Sequence, residues 1–187
     1  MSHAPQALDR ATIEKLQPVI TSLVQQYQTQ PDTAVAEFRV VSRVVSGFEN
    51  QASARDFHFT VDEPEALGGT NKGPNPVEIL LGSLGTCQQI VISAYAAALG
   101  IELDSLRIDV RGSLDLRGLF NVAEVPSGFE AITFDVQLAA RNATDAQLEQ
   151  LKTLALEHCP VLDTLQRSVA VRSSYTWSSA PAQARSA

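Results

Sequence analysis

Cysteine is scarce in this chain: Cys87 and Cys159 are the two in 187 residues. That is too few for a disulfide-stapled scaffold. The opening residues, "MSHAPQALDRATIEKL", have no basic stretch followed by an apolar one, so nothing marks them as a secretion signal. Reduced thiols in a cytoplasmic protein are therefore expected, and any bond between them would be transient chemistry rather than scaffolding. Basic residues are scarce too. Fourteen Lys and Arg stand against 21 Asp and Glu, for a net charge of −7, and they are scattered rather than gathered in a stripe. A nucleic-acid partner is excluded on that ground. The three histidines are His3, His58 and His158, and no CxxC or HxxxH pair occurs. His158 could join Cys87 and a carboxylate around a metal, but the close-spaced ligand pairs of metal sites are missing, so none is expected. "GGTNKG" lacks the spacing and the Lys-Ser/Thr ending of a phosphate loop, and no GxGxxG follows a strand. No organic cofactor is expected either. "GSLG" is not a nucleophile elbow, because Ser83 falls within a helical pattern.

Long hydrophobic runs are limited to one. From Ile79 to Ile101 there is no charged residue. The length suits a membrane span. However, Gln88 and Gln89 lie near its middle beside Thr86 and Ser83, the flanks carry no Lys/Arg cluster, and no second span could shelter the amides. A helix buried inside a non-membrane protein fits better. Its start is well marked: Asn75 as N-cap, Pro76 as first residue and Glu78 as the capping-box carboxylate. Gly82 and Gly85 weaken it, and their use is to let another element come close.

The remaining pattern surrounds this helix. Residues 8–28 carry apolar positions at helical spacing, with Pro18 expected to kink or restart the turn. Residues 35–45 and 56–62 read as strands, and "PEALGGTNKGPNP" as a loop. "LDSLRIDVRGSLDL" and "AITFDVQLAA" alternate cleanly as two more strands. A helix over 144–158, opened by Thr144 and Gln147, is followed by a short helix from Pro160 to about Arg167, and "VAVRSSYTW" closes as a strand. The class is α+β. The expected organisation is a helical extension over 1–34, one domain over 35–178 and a disordered tail over 179–187. A helix apolar on nearly all faces needs more cover than the strands of one such chain provide, which predicts a homodimer.

Few residues are left for chemistry. A lone cysteine is usually a small buried hydrophobe. Here Cys159 precedes Pro160 and so stands at a helix N-cap, where the dipole lowers a thiol pKa, while Cys87 lies beside helix glycines. "LGGTNKGPNPVEILLGSLGTC", followed about seventy residues later by "CPVLDTL", resembles the OsmC/Ohr family of osmotically inducible and organic hydroperoxide resistance proteins, over roughly Phe38 to Tyr175. The resemblance implies an OsmC-like fold: an intertwined homodimer whose long central helices pack between β-sheets, here with an added N-terminal helix. It also implies an antioxidant thiol peroxidase, with Cys87 as peroxidatic and Cys159 as resolving cysteine, passing through a sulfenic acid and an intramolecular disulfide. The implied partners are a hydrophobic organic hydroperoxide and an external dithiol.

One position departs from the peroxidase members. They carry a glutamate ten residues before the first cysteine, orienting an arginine over the thiolate. Here position 77 is valine, and Glu78 stands nine residues before Cys87, on the opposite helix face. Glu78 is thus a capping residue as readily as a catalytic one. In the family the arginine comes from the first strand region or the loop after it, which points to Arg43 and then Arg55. The departure leaves a second function class open: a non-enzymatic OsmC-like protein that binds an apolar ligand or senses redox state.

Overall fold

A computed structural model describes residues 7–178 of the chain. The tail over 179–187 and the start that holds His3 lie outside the described residues. The element order is α1 (Arg10–Thr29), β1 (Val41–Ser46), β2 (Glu49–Ala54), β3 (Phe57–Val61), α2 (Pro76–Leu99), β4 (Leu103–Leu114), α3 (Leu116–Leu119), β5 (Phe129–Ala140), α4 (Asp145–His158) and α5 (Pro160–Gln166). β1–β2–β3 form one antiparallel sheet, and β4 pairs with β5 in a second.

α2 begins as its sequence dictates. The Asn75 side chain accepts from the Glu78 N–H at 2.9 Å, and the Asn75 N–H donates to Glu78 Oε2 at 2.8 Å, closing a capping box. It ends on Gly100 at φ 70°, the left-handed cap that glycine adopts without strain. Gly85 does bring an element close: a Cβ there would stand 3.1 Å from Val110 of β4, whereas Gly82 has open space beside it. Ile92, Ala96 and Ala97 of α2 meet Leu151 and Ala155 of α4, Ile13 of α1, and Leu8 and Leu103 in the main core. Leu8 and Leu103 also exchange backbone hydrogen bonds, 3.0 and 2.9 Å long, which tie the N-terminal extension to β4. α1 runs unbroken through Pro18, where a kink or restart was expected.

The inward row Leu106, Ile108 and Val110 on β4 pairs with Leu138, Val136 and Phe134 on β5. On the outer row Asp109 opposes Asp135, and Arg111 relieves that repulsion by bridging to both, at 3.0 and 3.8 Å.

Two expectations about strands are corrected, and one strand is added. β1 starts at Val41, so residues 35–40 are not strand. β2, sequence ENQASA, was not anticipated. It has no apolar alternation, and becomes a strand because β1 and β3 both pair with it. "VAVRSSYTW" forms no strand among the described residues. It is unpaired there, with Val171 91% exposed. A strand exists only through its partner, and the described residues offer it none.

The loop from β3 to α2 is held by a buried carboxylate. Asp62 accepts from Glu63 N–H (2.9 Å), Thr70 N–H (3.0 Å), Thr70 Oγ1–H (2.6 Å) and Lys72 N–H (3.2 Å). The Thr70 hydroxyl is the largest cause holding its pKa down, to about 2. A depressed carboxylate stabilises the fold above its unfolded pKa near 3.9 and loses that contribution as pH falls through the folded value. Acid unfolding should therefore steepen between about pH 4 and pH 2. In Asp62→Asn that component of a pH–stability profile should be missing.

Candidate functional site: two thiols on converging helices

Pro160 sets up the site. It disfavours helical backbone at the residue before it, so Cys159 is extended (φ −82°, ψ 112°). α4 ends there and α5 starts anew. The turn delivers the fully buried Cys159 thiol against α2, where its sulfur lies 3.3 Å from that of Cys87. Both thiols are free, and Cys87 is only partly buried. The pair belongs to an apolar cluster with Leu84, Leu162, Val91, Val110, Ile132 and Phe134.

Burial pushes the Cys87 thiol above its ordinary pKa, and the contact with Cys159 adds to this. The Val161 backbone N–H, directed at the Cys87 sulfur, pulls the other way. Val161 is in the first turn of α5, whose N–H groups have no intrahelical partner. The helix end expected to favour Cys159 therefore acts on Cys87. The next residue, Gln88, is 1% exposed and donates through Nε2 to the carbonyl of Ala155 at 3.3 Å. That carbonyl belongs to the last turn of α4, so the amide braces the helix carrying Cys159 against the helix carrying Cys87.

The other candidates lie elsewhere. Arg43 is exposed on β1, and Arg55 occupies the β2–β3 turn at φ 55° with its guanidinium over the Phe57 ring, 5.0 Å from the centroid. Neither bonds to either thiol among the described residues. Glu78 is engaged in its capping box, within the first turn of α2. His158 packs on Tyr95 with centroids 5.6 Å apart, and no three His, Cys, Asp or Glu side chains gather around a common point among the described residues. Glu78→Ala should cost about 0.5–2 kcal/mol through the lost cap, measured by chemical denaturation. An intact melting transition with activity lowered about a hundredfold or more would make it a catalytic carboxylate instead.

A family model described as OsmC-like protein matches residues 69–174. The chain belongs to the OsmC family. The matched stretch holds the Asp62-anchored loop's second half, all of α2 and both thiols. Among solved structures, an OsmC-like protein of Mycoplasma pneumoniae is 20% identical with a TM-score of 0.59, covering 70% of this chain and 88% of that one. An organic hydroperoxide resistance protein OsmC of Legionella pneumophila is 17% identical with a TM-score of 0.52, covering 71% and 91%. Both show the shared fold. YmaD, an uncharacterised protein of Bacillus subtilis, is 28% identical over 67 residues, which span 35% of this chain and 45% of that protein.

Within this OsmC-family site, sequence reasoning missed the roles of Gln88 and Val161. Gln88 had a signal, an amide in the middle of an apolar helix. Val161 had one too, since a proline at the first helical position marks free N–H groups just behind it.

Proposed function

We propose that the protein is a thiol-dependent peroxidase that reduces organic hydroperoxides. The observation that carries this reading is the 3.3 Å approach of Cys87 and Cys159 sulfurs, free and set in an apolar cluster. The Cys87 thiolate attacks the terminal peroxide oxygen, the O–O bond breaks, and the alkoxide takes a proton to leave as alcohol. Cys87 is then a sulfenic acid. The Cys159 sulfur displaces its hydroxyl as water, and the two sulfurs close from contact to a bond of about 2.05 Å. An external dithiol returns both thiols by exchange and leaves oxidised. Apolar surroundings favour a hydrophobic peroxide over hydrogen peroxide. The test is consumption of cumene hydroperoxide by purified protein with a dithiol present; no consumption above the dithiol alone sinks the reading.

The working unit in this reading is a homodimer. Large apolar side chains stand exposed along α1, across the β1–β3 sheet and in the segment after α5, among them Val19, Val44 and Trp177, as an obligate interface requires. The β1–β3 sheet has apolar residues bare on both faces, among them Val44, Val45 and Phe57. We assign the activating arginine to that sheet or its turn, Arg43 or Arg55, delivered to Cys87 in the assembled dimer. Light scattering should give twice the chain mass at micromolar concentration, and a monomer there would remove the assembly from the scheme.

A second reading, a non-enzymatic protein that binds an apolar ligand or senses redox state, draws on Val77 and on the raised Cys87 pKa. Cys87 no more reactive than free cysteine would select it.

A further inference from the structure

α4 packs on α2 but stands off from β5, and a cavity of about 350 Å³ opens between the three elements. Ile92, Phe134, Val136 and Leu151 supply apolar walls. The polar group within is Gln88. Its Nε2 is committed to the Ala155 carbonyl, and its Oε1 has no hydrogen-bond partner among the described residues. Gln88 is a buried side chain that lines the cavity, and its one hydrogen bond among the described residues uses Nε2. At the mouth stand Asp145, Glu149 and Lys152, the last two paired at 2.8 Å.

We propose that this cavity is a binding site for a small apolar alcohol, its hydroxyl donating to Gln88 Oε1 and its alkyl part lying along Ile92, Phe134 and Leu151. Three features choose the ligand chemistry. The deep polar atom is an acceptor, so the ligand brings a donor. The walls are apolar, so the ligand's body is hydrocarbon. A carboxylate has no proton to give and would meet Oε1 as a second acceptor, with a net negative mouth behind it. An ammonium could donate, but burying its charge without a counter-charge at depth costs more than the bond returns. The volume fits a chain of about six carbons with room to turn. The cavity adjoins the thiol pair, sharing Phe134 with its surroundings, and neither thiol lines it, so the inference does not rest on the peroxidase reading.

The test uses reduced, full-length protein with no peroxide, titrated with 1-hexanol and followed by amide NMR. Saturable shifts should centre on the Gln88 side-chain amide and on the α4 residues facing it, with a dissociation constant on the order of a millimolar. Hexanoate at pH 7 should bind at least about tenfold more weakly, the penalty of an unpaired acceptor in an apolar site. Leu148→Trp, which fills the cavity from the α4 side, should weaken hexanol by about tenfold or more. Gln88→Met keeps the volume, removes the acceptor and should do the same. Absence of saturable shifts, equal binding of hexanoate, or hexanol binding unchanged in Leu148→Trp would each overturn the assignment. A cavity occupied by another segment of this chain or of a second copy would appear as the first of these.

Discussion

Cys87→Ser is expected to abolish hydroperoxide consumption outright, while Cys159→Ser, with no external thiol present, should complete one reduction and stop with a sulfenic acid on Cys87. The asymmetry follows from burial. Cys159 is fully enclosed, so a peroxide has no path to its sulfur, whereas Cys87 keeps part of its surface open. It follows also from the α5 N-terminus, where the Val161 N–H is directed at the Cys87 sulfur and favours its ionised form. Burial opposes that ionisation and is the larger effect within one chain, and in the proposed scheme a cation delivered on assembly supplies the rest. Dimedone added after hydroperoxide should label Cys87 in Cys159→Ser and nothing rapidly in Cys87→Ser. Labelling of Cys159 in Cys87→Ser, with Cys87 inert in its counterpart, would reverse the roles. Equal sluggishness of both thiols would leave the non-enzymatic reading in possession.

The parts of this fold legible in the sequence are those built from local signals. The capping boxes at Asn75–Glu78 and Thr144–Gln147 use residues three apart, and both form. The alternation of β4 and β5 is likewise local, because their inner faces meet α2 within the same chain. β2 was invisible because ENQASA owes its conformation to neighbours on both sides. "VAVRSSYTW" carried a strand pattern without a strand, since pattern supplies a face and a partner supplies the hydrogen bonds. The site divides in the same way. Seventy-two residues separate the thiols, and no spacing rule joins them; the OsmC resemblance did, and the extended residue before Pro160 is its physical means. Arg43 and Arg55 were chosen from the resemblance alone. Both stand on a sheet that makes at most marginal contact with the helices, so local reasoning had no purchase on them.

The N-terminal extension, residues 1–34 in the sequence reading, should prove inseparable from the core, and Ile13→Ala is expected to be among the most damaging single changes in the chain. Ile13 is 2% exposed and packs in one cluster with Ile92 and Ala96 of α2 and with Leu151 of α4. Its helix is fixed at the start, where the Asp9 side chain accepts from the Thr12 N–H at 2.8 Å. Just before that cap, Leu8 is bonded to Leu103. With the start of α1 tied to β4 through Leu8, the helix has little freedom to shift and close the gap left by a shortened side chain. The cost should therefore lie in the range of large-to-small core changes, about 2–5 kcal/mol, which lowers the melting temperature of a chain this size by roughly 2–4 °C per kcal/mol. Val19→Ala, on the exposed side of the same helix, should cost under about 0.5 kcal/mol in a single chain. If the two substitutions prove equally mild, α1 is an appendage. If both prove costly, the outer face of α1 is covered as well, and its cover is the second chain.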